Sequence, residues 1–259
     1  MKKQLAYNPF NLIISLLGGI VLLFIFAPLV GLFLKTSGSE LLETMKEKEV
    51  RDSLFLTLGT SFVTTILFAI SAVPLAYILA RKNFPGKNIL QGIIDLPIVI
   101  PHSAAGIAIL GLVSRDTAVG KFAESVGISF IGNPAGIGLA MAFVSLPFLI
   151  NSARDGFSGV PERLEKTAMT LGASQVRTFF SISLPLAKRG VITGLILMFA
   201  RGMSEFGAVI IIAYHPMVTP ILIFERFSSY GLAYARSVSV IFISVSLIFF
   251  IILRIIKNK

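Results

Sequence analysis

Pro161-Glu162-Arg163-Leu164-Glu165-Lys166-Thr167-Ala168-Met169-Thr170-Leu171-Gly172-Ala173-Ser174, running on to Ile182-Ser183-Leu184-Pro185, lies between two long apolar runs. It is too polar to cross a bilayer and too patterned to be a plain connection. Pro161 suits a first helical position, where the N–H it lacks would find no partner anyway. Glu162 and Glu165 fall in the first turn, where the helix dipole favours negative charge. Gly172 can stop this helix by adopting the left-handed conformation. Ser174 offers the N-cap of a second short helix through Phe179 and Phe180, and Pro185 is expected to end it. Leu164, Ala168 and Leu171 recur at three- and four-residue spacing on one face, with Glu165 and Lys166 on another, so the pair is amphipathic. Its apolar face needs a cover: either the protein's own membrane ends or a second protein.

Working outward, the 259 residues are 55% hydrophobic and 14% charged, with no cysteine and a mean hydropathy of +0.87. Soluble chains carry about 25% charged residues, so an ordinary soluble domain is excluded and an all-α, polytopic membrane protein is expected. About 20 apolar residues cross the roughly 30 Å hydrocarbon core. Six candidate spans meet that length: Leu12–Leu34, Leu54–Ala80, Leu90–Val113, Pro134–Ala153, Leu184–Tyr214 and Val238–Ile256. The third is interrupted by Pro97 and Pro101, and the fourth is rich in small residues. Gly132, Gly136 and Ala140, at four-residue steps, read as a close-packing stripe on that fourth span. No soluble domain is left over, so residues 1–259 read as one transmembrane domain with a loop at about 154–185. Met1-Lys2-Lys3 before a run longer than a signal peptide's apolar region reads as the start of a retained span.

Charge orients these spans. With the N-terminus inside, segments 1–11, 81–89, 154–190 and 254–259 hold 14 of the 23 Lys and Arg, the three outer segments hold 8, and Arg201 lies within a span. The excess places both termini and the 154–185 loop in the cytoplasm of a multi-pass plasma-membrane protein. Topology therefore accounts for the net charge of +10 without a nucleic-acid partner.

Few residues within the spans carry chemistry. Charged side chains cost about 2.5–3.5 kcal/mol at a helix centre, so Arg201 and Glu205 should face protein or water rather than lipid. Four residues apart, they read as one helix face and a mutually neutralising pair, or as a guide for an anion. Pro97, Pro101 and Gly106 loosen the third span, with His102 and Ser103 adding polar groups at the break, either for packing or as a pore lining. With only His102 and His215 and no cysteine, no metal site is expected. No clustered nucleophile and base is visible, so no catalytic residue is assigned.

Two resemblances sharpen this. The stretch from Glu165 to Ser174, with Ile182, Leu184 and Pro185 correctly spaced from Gly172, resembles the cytoplasmic loop signature of ABC importer permeases. In that signature Glu-Ala-Ala is followed by three residues, Gly, nine residues, Ile, any residue, and Leu-Pro. Lys166 stands at its acidic position, Thr167 at its first Ala and Ala168 at its second, with Glu165 one place earlier. The segments Asp95–Ser103 and Ala200–Ala208 are similar to those of molybdate and tungstate permeases, with sulfate permeases more distant. The resemblance implies an oxyanion importer subunit that works as a homodimer in lipid. It also implies two ATP-binding cassette subunits, which carry ATP and Mg, and an extracytoplasmic oxyanion-binding protein. Glu165, Lys166, Thr167, Ala168, Gly172 and Ala173 become its ATPase-docking residues. Pro101, His102, Ser103, Arg201, Ser204 and Glu205 become candidates for the translocation path. This chain has no Gly-x-x-x-x-Gly-Lys-Ser/Thr phosphate loop, so it is not expected to hydrolyse ATP or to bind a cofactor itself. The alternative is an ion-coupled secondary transporter, for which two mirrored halves with paired broken helices would be expected.

Overall fold

The computed structural model describes residues 9–258, and no side chains beyond Ile255. Lys2 and Lys3, on which the N-terminal orientation leaned, lie outside the described residues. In chain order the helices are α1 (Pro9–Leu34), α2 (Gly38–Lys46), α3 (Lys48–Arg81), α4 (Lys87–Val99), α5 (His102–Val113), α6 (Ala118–Ser125) and α7 (Pro134–Ser158). They continue with α8 (Glu162–Thr170), α9 (Gln175–Thr178), α10 (Leu184–Met203), α11 (Val209–Ile212), α12 (Thr219–Tyr230) and α13 (Leu232–Asn258). Among the described residues five helices are long and apolar enough to cross a membrane, or six if the bent α4–α5 pair is counted as one span.

The most buried span sits at the centre. In α7, 61% of the most apolar window is buried within the protein, against none in α1. Its small residues serve helix packing rather than lipid contact, which explains its weak hydropathy. One core cluster gathers Ala76 and Leu79 of α3, Leu149, Ala153 and Phe157 of α7, and Ala187 and Val191 of α10. A second, at the other end of α7, joins Ala105, Ile109 and Val113 of α5 to Ile137, Ala140 and Val144, with Val209 and Ile212. Between α7 and α10 the backbones touch: a Cβ on Gly190 would lie 2.6 Å from the Cα of Gly156. Of the expected stripe, Gly132 lies before α7, while Gly136 and Ala140 are buried on it and a Cβ on Gly136 would lie 2.8 Å from Cγ2 of Ile212 in α11.

Hydroxyls zip α3 to its neighbours. Ser53, Thr57, Ser61 and Thr65, four residues apart, are all buried. Ser61 donates to the carbonyl of Phe199 at 2.8 Å, and Thr57 Oγ1 accepts the N–H of Thr219 at 2.8 Å. In lipid such bonds replace the missing hydrophobic drive between helices.

Two expectations are corrected. The third span is broken outright rather than loosened: α4 and α5 meet at 113° across Ile100 and Pro101. The pair still traverses the bundle, since Asp95 of α4 accepts from Asn151 of α7 at 2.5 Å while α5 packs beside Ile137 and Ala140 at the opposite end of α7. The fifth span does not start at Leu184 or continue to Tyr214. α9 runs through a π-helical turn, Phe179–Ser183, into α10, giving an unbroken helix Gln175–Met203. Pro185 therefore ends nothing. In the wide turn the N–H of Leu184 reaches the carbonyl of Phe179, a register that absorbs the donor Pro185 lacks.

Candidate functional site

At one end of the bundle α8 lies against the ends of α3 and α10. Its N-terminus begins after Pro161, which occupies the cap rather than the first turn, and Glu162 and Glu165 lie in the first turn as expected. Its C-terminus closes as a Schellman motif. Gly172 takes φ +90°, its N–H bonds the carbonyl of Met169, and the N–H of Ala173 bonds that of Ala168. Ser174 then caps α9, accepting from the N–H of Arg177 at 3.2 Å.

Of the two covers open to the apolar face of α8, its own membrane ends are not the one used. Leu164, Met169 and Leu171 are exposed, Leu171 at 83%, while Glu165 is the only buried side chain of the helix. The Glu165 carboxylate accepts from Arg81 Nη2 at 2.7 Å, Arg81 Nε at 2.9 Å, Ser183 Oγ at 2.7 Å and Tyr77 OH at 3.2 Å. Burial alone would raise its pKa, but the hydrogen bonds from Arg81, Ser183 and Tyr77 and the charge of Arg81 outweigh that, holding the carboxyl below its ordinary value. It therefore stays ionised at neutral pH. Of the other residues assigned to this surface, Lys166 and Thr167 are exposed, Lys166 paired with Glu162 at 3.1 Å. Ala168 and Ala173 are half-buried, and Gly172 is exposed. The exposed surface of α8 thus combines an apolar ridge with a small-residue corner, a shape that a groove on another protein can cover.

The second group of residues meets where two breaks face each other. α10 stops at Met203, and the turn that follows carries Glu205 before α11 begins. Glu205 is therefore not on a shared helix face with Arg201, yet the pair forms. Arg201 Nη2 lies 2.8 Å from Glu205 Oε2, and His102 Nδ1 lies 3.0 Å from the same oxygen. Oε2 makes no hydrogen bond, so the approach of Arg201 is an ion pair by distance alone and that of His102 a close polar contact. Oε1 accepts the N–H of Ala208 at 2.8 Å, capping the start of α11. Glu205 is fully buried, whereas Arg201 and His102 keep 21% and 35% of their side chains exposed. Arg201 Nη2 is also 2.9 Å from the His102 ring nitrogens. The two breaks pack closely, since a Cβ on Gly207 would lie 2.7 Å from that of His102. Pro101, Ser103 and Ser204 lie exposed around the triad, Ser204 donating to the carbonyl of Arg201 at 3.1 Å. A half-buried guanidinium and imidazole backed by a buried carboxylate can touch a passing anion without enclosing it.

Sequence reasoning missed two features of the site: the inward direction of Glu165 and its partner Arg81. Both rest on residues more than 80 positions apart, with no local pattern to expose them.

The chain as a whole is similar to known proteins. The family profile described as "Binding-protein-dependent transport system inner membrane component" matches residues 72–259. The molybdate/tungstate transport system permease protein WtpB of Pyrococcus abyssi is 43% identical over 240 residues, 92% of each chain. That of Methanocaldococcus jannaschii is 42% identical over 234 residues, covering 90% of this chain and 91% of the relative. A bacterial ABC transporter that imports the polysaccharide alginate superposes with a TM-score of 0.73 at 16% identity, covering 96% of this chain and 95% of its own, and so shares the fold. This chain belongs to the family of binding-protein-dependent transport system inner membrane components, the permease subunits of ABC importers, in which ATP is hydrolysed by a partner subunit.

Proposed function

We propose that this permease carries an oxyanion, molybdate or tungstate, from an extracytoplasmic binding protein to the cytoplasm. Two copies form the path and two ATPase subunits grip the exposed ridge of α8. The observation that carries the substrate is the 42–44% identity to four molybdate/tungstate permeases over at least 90% of this chain. The charge distribution supports a cytoplasmic α8 and cytoplasmic termini. The Arg201–His102–Glu205 cluster, with Pro101, Ser103 and Ser204 at its rim, lines the path as a weak contact. Selectivity rests with the binding protein, and a tight intramembrane site would slow release. Lys166, Thr167, Ala168, Gly172 and Ala173 form the docking corner beside Leu164, Met169 and Leu171.

Reconstitution tests this. The chain, its cassette ATPase and its binding protein in proteoliposomes should accumulate molybdate or tungstate only with ATP inside and binding protein outside. Uptake that persists without ATP and collapses with the proton gradient would replace this reading with an ion-coupled carrier.

A further inference from the structure

The only buried side chain of α8 is a charged one. Glu165 accepts from Tyr77 and Arg81 in the last turn of α3 and from Ser183 in the π turn that leads into α10. Arg81, itself 8% exposed, also donates from Nη2 to the carbonyl of Val160 at 3.0 Å, the last residue but one before α8. One carboxylate therefore gathers donors from two spans, and its main partner fixes the end of α7. The Tyr77 ring wedges between Phe157 of α7, 5.3 Å away, and Phe179, 5.0 Å away, at T-shaped angles. Apolar contact permits sliding, but the leucines of α8 face away from the spans. A forked, charge-assisted contact fixes both distance and orientation.

We infer that the Glu165–Arg81 clasp is the mechanical link that delivers displacement of α8 to α3 and α10. Glu165 is thus a positioning residue for coupling, not a surface contact for the ATPase. The inference rests on the proposed gripping of α8 by an ATPase. A partner on the outer ridge moves a helix whose inner side is tied to two spans by one carboxylate, so the spans follow. Without the tie, α8 moves alone.

The test uses the reconstituted complex and three readouts: ATPase retention, ATP hydrolysis and oxyanion uptake. In Glu165→Gln, retention and hydrolysis should persist while uptake per ATP falls about 5- to 150-fold, the span of typical coupling between linked sites. Arg81→Gln should do the same, and the double variant should be no worse than either, since both remove one link. Ser183→Ala and Tyr77→Phe each delete a single donor and should give smaller losses of the same kind. If wild type retains the ATPase but uptake per ATP is unchanged in Glu165→Gln, the clasp is overturned and the docking reading stands. A loss of ATPase retention confined to Glu165→Gln, with Ser183→Ala and Tyr77→Phe unaffected, also overturns it. If wild type retains no ATPase, the functional reading and the clasp fall together.

Discussion

Glu205 shows how a membrane protein keeps a charge in its interior. The residue spends one oxygen on the N–H of Ala208 and the other on Arg201 and His102. Removing one partner of such a buried pair costs about 3–5 kcal/mol, because the remaining charge has no solvent. Arg201→Ala is therefore expected to lower the unfolding temperature of the detergent-solubilised protein markedly. Combining it with Glu205→Gln, which keeps an acceptor for Ala208, should recover part of the loss. Unfolding of Arg201→Ala at the wild-type temperature would show that the pair is not structural. Any transport defect of Arg201→Ala has to be judged against this stability change.

The helices record which signals a sequence makes legible. The bounds of α8 were readable but not the direction of its buried face: its first-turn acids, the glycine at φ +90° and the following serine cap are local chemistry, each visible within a few residues. Pro185 misled because a proline's missing donor is a local fact, while the π turn that compensates for it is set by continuity with α10. Arg201 and Glu205 were read as helical neighbours because their spacing is four. The helix in fact ends between them, at Met203, where the broken third span packs against the turn. The serines and threonines of α3 carried a four-residue period that went unread, hidden within an apolar span. At this scale the exposed ridge makes a clean prediction. Leu171→Glu removes little buried apolar area from the folded chain, so stability should change by less than about 0.5 kcal/mol. Co-purification with the ATPase, in contrast, should fall at least tenfold. Retention of the ATPase by this variant would move the docking surface elsewhere.

For the whole molecule, the apolar runs conveyed the all-helical, membrane-spanning architecture. What they did not convey is which span is central: α7 is the most buried of them, although its hydropathy does not set it apart from the Gln175–Met203 helix. The α7–α10 seam at Gly156 and Gly190, and the clasp at Arg81 and Glu165, make the α8 end of α3, α7 and α10 one packed unit. That unit is where a cytoplasmic motor would have to push. The absence of cysteine allows its location to be read directly, because a single Leu171→Cys substitution introduces the sole thiol in the chain. A membrane-impermeant maleimide is predicted to label it in inside-out vesicles but not in right-side-out ones, and bound ATPase should protect it. Labelling from the outside, or labelling from the inside that the bound ATPase leaves unprotected, would contradict the account.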